Sequence, residues 1–241
     1  MVETTPTSDK PAESAQRLAV VRDRIVRAAQ QSDRPADTVA LLAVSKTFPI
    51  EAVDAVAAVG QRAFGENYAQ EGVDKAQARP ALEWHFIGPI QSNKTRGIAE
   101  HFSWVHTIDR LKIAERLSAQ RPADLPPLQV CVQVNISGEA SKSGCIAGEA
   151  LALCRAVAAL PNLKLRGLMA IPEATSDEAT QHRYFAALRQ LMADINAADP
   201  ALQLDTLSMG MSDDLEAAIA EGATMVRIGS AIFGARTYMN T

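Results

Sequence analysis

Lys46 closes the run Val39-Ala40-Leu41-Leu42-Ala43-Val44-Ser45-Lys46, which is apolar almost throughout and reads as a buried strand. An amine at the tip of such a strand either snorkels to solvent along its own stem or has chemistry to perform. Burial disfavours the ammonium, and the neutral amine is the form that condenses with an aldehyde. Two later segments bear on the choice. Ser208-Met209-Gly210-Met211-Ser212 and Arg227-Ile228-Gly229-Ser230 each end a strand-like run with small residues and exposed backbone N–H groups. Either alone is ordinary turn chemistry. Together they make an anion cradle: Ser208 offers a hydroxyl, Gly210 lets the main chain approach a ligand, and Gly229 and Ser230 present N–H groups. An amine facing a two-loop phosphate site points to an aldehyde-phosphate cofactor. Arg227 adds a restriction. A guanidinium beside a pyridine nitrogen stays charged and disfavours protonation of that nitrogen, which leaves the ring a weak electron sink.

The elements between these residues must bring them together. Leu18, Val21 and Ile25 recur at helical spacing and predict a leading helix up to about Gln31. Strands are predicted at Val39–Val44, Arg62–Gly65, Trp84–Ile87, Trp104–Ile108, Leu128–Asn135, Leu165–Ile171, Thr206–Ser208 and Thr224–Ile228. Helices are predicted around Glu51–Val59, Ala69–Gln77, Lys94–His101, Leu111–Arg121, Ala147–Leu160, Glu178–Ile195 and Asp213–Ala220, with Asp109 and Ser212 as N-caps. Such an alternation without a long linker favours an α/β fold: a single-domain TIM-type (β/α)8 barrel with an additional N-terminal helix. Closure depends on the short strand Arg62–Gly65; without it an open sheet is the better answer. The expected organisation is a tail over residues 1–12 and a barrel over 13–241. In a barrel all strand C-termini meet at one mouth. Lys46, Glu66, Asn67, Gly88, Asp109, Asn135, Glu173, Ser208 and Arg227 fall at those ends.

Composition excludes several classes of function. Hydrophobic residues make up 47% and charged residues 22% of 241, a globular composition. The net charge is -4 and no long basic block occurs, so no nucleic-acid partner is expected. No apolar run has the length of a membrane span, and Met1 to Pro11 lacks the apolar centre of a signal peptide. Cys131, Cys145 and Cys154 show no CxxC or metal-ligand spacing, which fits a reducing, cytoplasmic setting. His85, His101, His106 and His182 offer no compact metal spacing either, so no metal is expected. Cys131 and Cys154 read as packed small hydrophobes and Cys145 as a more exposed thiol, while Trp84 and Trp104 read as packing residues. Lys142, beyond strand five, reads equally as a solvated lysine or as positive charge at the mouth.

A resemblance covers the chain from about Leu18 to Tyr238. It rests on Ala43-Val44-Ser45-Lys46, Phe64-Gly65-Glu66-Asn67-Tyr68 and Trp84-His85-Phe86-Ile87-Gly88-Pro89-Ile90-Gln91-Ser92-Asn93-Lys94. It continues through Val134-Asn135-Ile136, Lys142-Ser143-Gly144, Arg166-Gly167-Leu168-Met169, Leu207-Ser208-Met209-Gly210-Met211-Ser212 and Val226-Arg227-Ile228-Gly229. With these segments the chain resembles the pyridoxal-phosphate homeostasis proteins, an alanine-racemase N-terminal-domain-like family. The resemblance implies pyridoxal 5'-phosphate held as a lysine aldimine at Lys46. It further implies phosphate contacts from Ser208, Gly229 and Ser230, and Arg227 beside the pyridine nitrogen. By the same resemblance Asn67 and His85 line the cavity, and Met169 lies against the ring face where related racemases carry histidine.

Alanine racemases add a C-terminal β-domain that supplies an acid/base tyrosine from a neighbouring subunit. The sequence here ends soon after the eighth expected strand, and nothing marks Tyr238 as a replacement. Two-base racemisation needs a group on each face of the α-carbon, and Lys46 is one. The implied role is therefore cofactor binding in pyridoxal-phosphate and amino-acid homeostasis, with no catalytic residue and with PLP-dependent apo-enzymes as recipients. A weak racemase, or another PLP-dependent amino-acid enzyme, is the competing reading. A site complete within one chain implies a monomer.

Overall fold

Leu18, Val21 and Ile25, with Ala28 and Ala29, form the buried stripe of α1 (Lys10–Gln31) in a computed structural model that describes residues 10–139 and 143–234. Of the segment expected to be a tail, residues 1–9 lie outside that description, and α1 already begins at Lys10. The chain continues through β1 (Ala40–Val44), α2 (Ile50–Ala58), β2 (Ala63–Glu66), α3 (Ala69–Ala78), β3 (Glu83–Phe86), α4 (Thr95–His101), β4 (Trp104–Ile108) and α5 (Leu111–Gln120). It proceeds to β5 (Leu128–Asn135), β6 (Cys145–Ile146), α6 (Ala150–Ala158), β7 (Leu163–Met169), α7 (Glu178–Ala198), β8 (Thr206–Ser208), α8 (Leu215–Ala220), β9 (Met225–Ile228) and α9 (Ser230–Phe233).

Neighbouring strands run β1-β2-β3-β4-β5-β7-β8-β9, all parallel, and β9 pairs back onto β1. The result is a closed eight-stranded barrel in a single domain, as expected. The short β2 pairs on both sides, with β1 and with β3, which secures closure. The two-residue β6 pairs with the end of β5 and was not foreseen, being too short to carry a periodic signal.

The pleat divides the strand residues between two environments. Phe64, Trp84 and Phe86 join the core between sheet and helices, with Phe86 edge-on to Phe102 at 5.4 Å. Each fully buried aromatic of this kind contributes on the order of 2 kcal/mol of hydrophobic stabilisation. Leu42, Val44, Ile87 and Met225 form a separate small cluster inside the barrel. Two N-cap expectations are corrected. Arg110 precedes α5, and Asp109 pairs with its guanidinium at 2.7 Å. α8 begins two residues later than expected, behind Asp214, so Ser212 belongs to the loop. A side-chain cap forms instead at α7, where Asp177 accepts from Thr180 N.

Candidate functional site

Lys46 follows β1 and is partly exposed at the upper mouth, the end where the strands' C-termini meet. The turn behind it is tightly held. Thr47 has φ +67, a left-handed conformation that is unfavourable for a β-branched residue, and its N–H donates to Glu71 Oε1 at 2.7 Å. Ser45 carbonyl accepts from Lys75 Nζ at 2.8 Å, and Ser45 Oγ donates to Glu66 Oε1 at 2.6 Å. Lys75 also meets Glu66 at 2.7 Å and Glu71 at 2.8 Å. Glu66 therefore does not face the mouth, as its place at a strand end suggested. Its neighbour Gly65 turns inward beside Leu42, so the pleat aims Glu66 outward under α3. Burial pushes the Glu66 carboxyl up, against the opposing pull of Lys75 and the Ser45 hydrogen bond.

A cavity of about 150 Å³ opens beside Lys46. Asn67, Ser212, Arg227, Gly229 and Ser230 share its wall with the apolar Val44, Ile87, Ile171 and Met211. The Asn67 backbone is fixed by Gly88, where an added Cβ would sit 2.0 Å from Asn67 O. Asn67 Oδ1 is buried without a hydrogen-bond partner among the described residues, leaving an acceptor for a bound group. Ser212 and Ser230 bring their hydroxyls within 3.3 Å of each other. Gly210 supports this loop with φ +94, and a Cβ there would collide with Ala218 Cβ at 2.5 Å. Gly229 also admits little: a Cβ would lie 3.2 Å from Val44 O. Hydroxyls, closely approached main chain, an orphaned acceptor and a lysine fit an aldehyde-phosphate group.

Five of the residues selected from sequence thus share this cavity: Lys46, Asn67, Arg227, Gly229 and Ser230. Ser208, His85 and Met169 do not line it, and each is fully buried beneath. Ser208 Oγ accepts from Arg227 Nη1 at 2.8 Å and lies 2.7 Å from His106 Nδ1. Its hydroxyl is therefore engaged in the barrel interior, and the serine of that loop that lines the cavity is Ser212. Ser212 ends the same Ser-Met-Gly-Met-Ser segment, where it was expected as a helix cap and not as a lining residue. Met169 packs with Trp104 and Cys131. His85 Nδ1 lies 2.9 Å from His106 Nε2, His85 Nε2 lies 2.6 Å from Glu83 Oε1, and its ring stacks on Trp104. His106 was not selected from sequence at all.

Burial draws the Arg227 guanidinium down to about 10, which leaves it charged near neutrality, and Nη2 donates to Ala170 O at 3.0 Å. Burial lowers His85, against the favourable contact with Glu83, and lowers His106 well below the ordinary histidine value, helped by His85 and Arg227. Cys145, expected to be more exposed, is buried, and its thiol is pushed up to about 11. The expectations for Lys142 and Tyr238 fall outside the described residues.

Residues 17–237 match the family model described as alanine racemase, N-terminal domain. The pyridoxal phosphate homeostasis protein of Pseudomonas aeruginosa is 65% identical over 227 residues, 93% of this chain and 96% of that protein. The protein of the same name from Escherichia coli K12 is 56% identical over 229 residues, 93% of this chain and 97% of that one. Among solved structures, PipY of Synechococcus elongatus with PLP bound superposes with a TM-score of 0.80 at 36% identity, covering 92% of this chain and all 100% of that one. Corynebacterium glutamicum alanine racemase shares the fold, with a TM-score of 0.64 at 19% identity, over 89% of this chain and 60% of that one.

Proposed function

The chain belongs to the alanine racemase N-terminal-domain family, and from that membership we propose that it binds pyridoxal 5'-phosphate at the upper barrel mouth and acts in pyridoxal-phosphate and amino-acid homeostasis. One observation carries the reading: a single cavity brings Lys46 together with the Ser212–Ser230 hydroxyl pair and Arg227. When bound, the cofactor supplies an aldehyde and an electron-withdrawing pyridine ring. Lys46 would hold the aldehyde covalently. Ser212, Ser230 and the main chain at Gly229 hold the phosphate, and Asn67 accepts a hydrogen bond from the group through its orphaned oxygen. Arg227, charged on the cavity wall, would disfavour a proton on a ring nitrogen held beside it.

This arrangement favours holding over turnover. Among the described residues of the cavity wall, Lys46 and Arg227 are the charged groups, and no histidine, tyrosine or carboxylate joins them. Racemisation needs proton donors and acceptors on both faces of a substrate carbon. The same reading makes the protein a cytoplasmic monomer that passes cofactor to PLP-dependent apo-enzymes. Three free, buried thiols are consistent with a reducing compartment.

The test combines visible absorbance with borohydride reduction and peptide mapping of protein incubated with PLP. Reduction is expected to fix the cofactor on Lys46, and Lys46→Ala is expected to retain weaker, reducible-bond-free binding. Trapping confined to another lysine would overturn the anchor assignment. Lack of any binding by the wild-type protein would overturn the functional reading itself. Reactivation of an apo-enzyme faster than by the same concentration of free PLP would support delivery.

A further inference from the structure

Beside the apolar side chains of Leu42, Met225 and Met169, the interior of the barrel below the cavity carries a set of buried polar groups where a purely structural barrel would be filled by branched aliphatic side chains. Glu83, His85, His106, Ser208 and Arg227 form an unbroken file: 2.6 Å, 2.9 Å, 2.7 Å and 2.8 Å separate successive polar atoms. Four strands contribute, β3, β4, β8 and β9, so no local sequence motif encodes the file. It begins at Glu83, whose side chain is 48% exposed on the wall of a second cavity at the opposite, lower mouth. It ends at Arg227 on the upper cavity wall, 4% exposed.

With Glu83 ionised, donor and acceptor capacity fixes the direction of the file. Arg227 carries donors only, so Ser208 Oγ must accept from it. Ser208 keeps a second lone pair and one hydrogen, so the direction is set from the other end. An ionised Glu83 only accepts, which requires His85 Nε2–H; a neutral His85 then has a bare Nδ1 that accepts from His106 Nε2–H. His106 Nδ1 is in turn bare and accepts the Ser208 hydrogen. Every link is satisfied with both histidines neutral, the guanidinium positive at one end and the carboxylate negative at the other. Protonating Glu83 allows one alternative: both histidines switch to the Nδ1–H tautomer. Ser208 Oγ then accepts from both His106 and Arg227, and its own hydrogen must turn elsewhere.

We propose that Glu83, His85, His106 and Ser208 are positioning residues that form a tautomer relay through the barrel, by which the ionisation of Glu83 at the lower mouth sets the hydrogen bonding of Arg227 in the cofactor cavity. The proposal rests on the cofactor reading above for its effect on the ring, but the relay itself is a property of the protein alone. Charges facing the file come from every side. Arg166 on β7 lies over the Trp104 ring at 5.1 Å and pairs with Asp205, just before β8, at 2.8 Å. Asp214 favours the charged Arg227 from the loop before α8, and the Cys131 thiol of β5 is held neutral by burial. Around the lower cavity stand Glu100, His101 and Arg121. Contact with His85 holds the Glu83 carboxyl below its ordinary range, so near neutrality the Nε2–H polarity is the resident one.

The deciding experiment is nitrogen-15 NMR of histidine-labelled protein without cofactor, at pH 7.5, on wild type, Glu83→Met and Glu100→Gln. Wild type is expected to show both His85 and His106 protonated at Nε2 and bare at Nδ1. Glu83→Met removes the terminal acceptor, and His106, two links away, is expected to lose that single tautomer. Glu100→Gln lines the same lower cavity outside the file and is expected to leave His106 unmoved. A loss of the wild-type tautomer at His85 alone would end the relay at that residue and overturn the proposal, as would Nδ1–H forms in wild type. Visible absorbance of PLP-loaded samples supplies a second readout. Glu83→Met and Ser208→Ala are expected to shift the cofactor band in the same direction, with Ser208→Ala giving the larger shift. Bands identical to wild type in both variants would overturn the coupling to the cavity. A wild-type protein that takes up no PLP would defeat the cofactor reading while leaving the tautomer measurement valid.

Discussion

Two buried polar assemblies flank the barrel wall beneath the cavity, and they solve the cost of burial differently. Outside the wall, under α3, Glu66 and Lys75 meet at 2.7 Å with side chains 0% and 8% exposed, reinforced by Ser45 and Glu71. Inside the wall, His85 and His106 are both fully buried but stay neutral, with charge displaced to Glu83 and Arg227 at the ends of the file. The outer assembly keeps opposite charges in contact and so fixes a conformation: it ties β1 and β2 to α3 directly behind Lys46. The inner one keeps its centre uncharged and so retains two hydrogen-bonding states. A charged pair suits a fixed anchor, whereas a neutral chain suits a group whose surroundings must respond to protons.

The largest break in this contrast should come from Lys75→Met. It leaves Glu66 buried and uncompensated, and is expected to cost roughly 3–5 kcal/mol in urea unfolding. Adding Glu66→Gln should restore much of that stability. If Lys75→Met proves nearly neutral, Glu66 is already uncharged in the fold and the two assemblies are alike.

Acid separates the two next. For each lumen histidine the folded-state pKa is lowered, so below about pH 6.5 the unfolded chain binds a proton that the folded chain refuses. Stability should then fall with falling pH by up to about 1.4 kcal/mol per pH unit for each histidine. Glu66 has the opposite sign: its raised pKa means that protonation near and below that value favours the folded state. Unfolding free energies at pH 7.5 and pH 5.5 check the balance. Repeating the two measurements in Glu66→Gln removes the opposing contribution, and a flat profile there would mean that the histidines are charged in the fold, and the neutral-chain picture would go.

Ser45→Ala tests how far the outer assembly depends on one hydroxyl. Removing its bond to the Glu66 carboxylate is expected to cost about 1.5–3 kcal/mol, read from the urea midpoint. The same variant should weaken PLP binding only slightly, because Ser45 faces away from the cavity. The smallest expected effect is Arg96→Ala, which breaks an exposed i,i+4 pair with Glu100 at 3.6 Å. It should change stability by about 0.5 kcal/mol or less. A loss comparable to that of Lys75→Met would show that burial is not what distinguishes the Glu66 pair.

The strand series was legible because it depends on local pattern. Apolar runs at Trp104–Ile108, Leu128–Asn135 and Thr206–Ser208 recur with identical boundaries in the structure. Parallel strands separated by amphipathic helices leave few ways to bury both sheet faces, so closure into a barrel followed from their number. Lys46 and the Gly229-Ser230 turn were legible too, since a charged or small residue at the tip of an apolar run departs from local expectation.

Depth was not legible. Ser208 and Ser212 lie in one five-residue segment, yet one hydroxyl serves Arg227 inside the barrel and the other the cavity wall. Periodicity assigns residues to a face of the sheet, but strand tilt and stagger decide which layer of the interior each inward residue occupies. His106 shows the same limit: between Val105 and Thr107 it read as one more unpaired histidine. Its partners are supplied by residues 21 and 102 positions away, and only closure of the barrel brings them within hydrogen-bond distance. The sequence by itself determined the fold and the places of Lys46 and the Gly229-Ser230 turn at strand ends, because these rest on short-range pattern and chain direction. Tertiary structure alone decided that the barrel interior carries a hydrogen-bonded file beside its aliphatic cluster, because the links of the file join strands that have no sequence relation to one another.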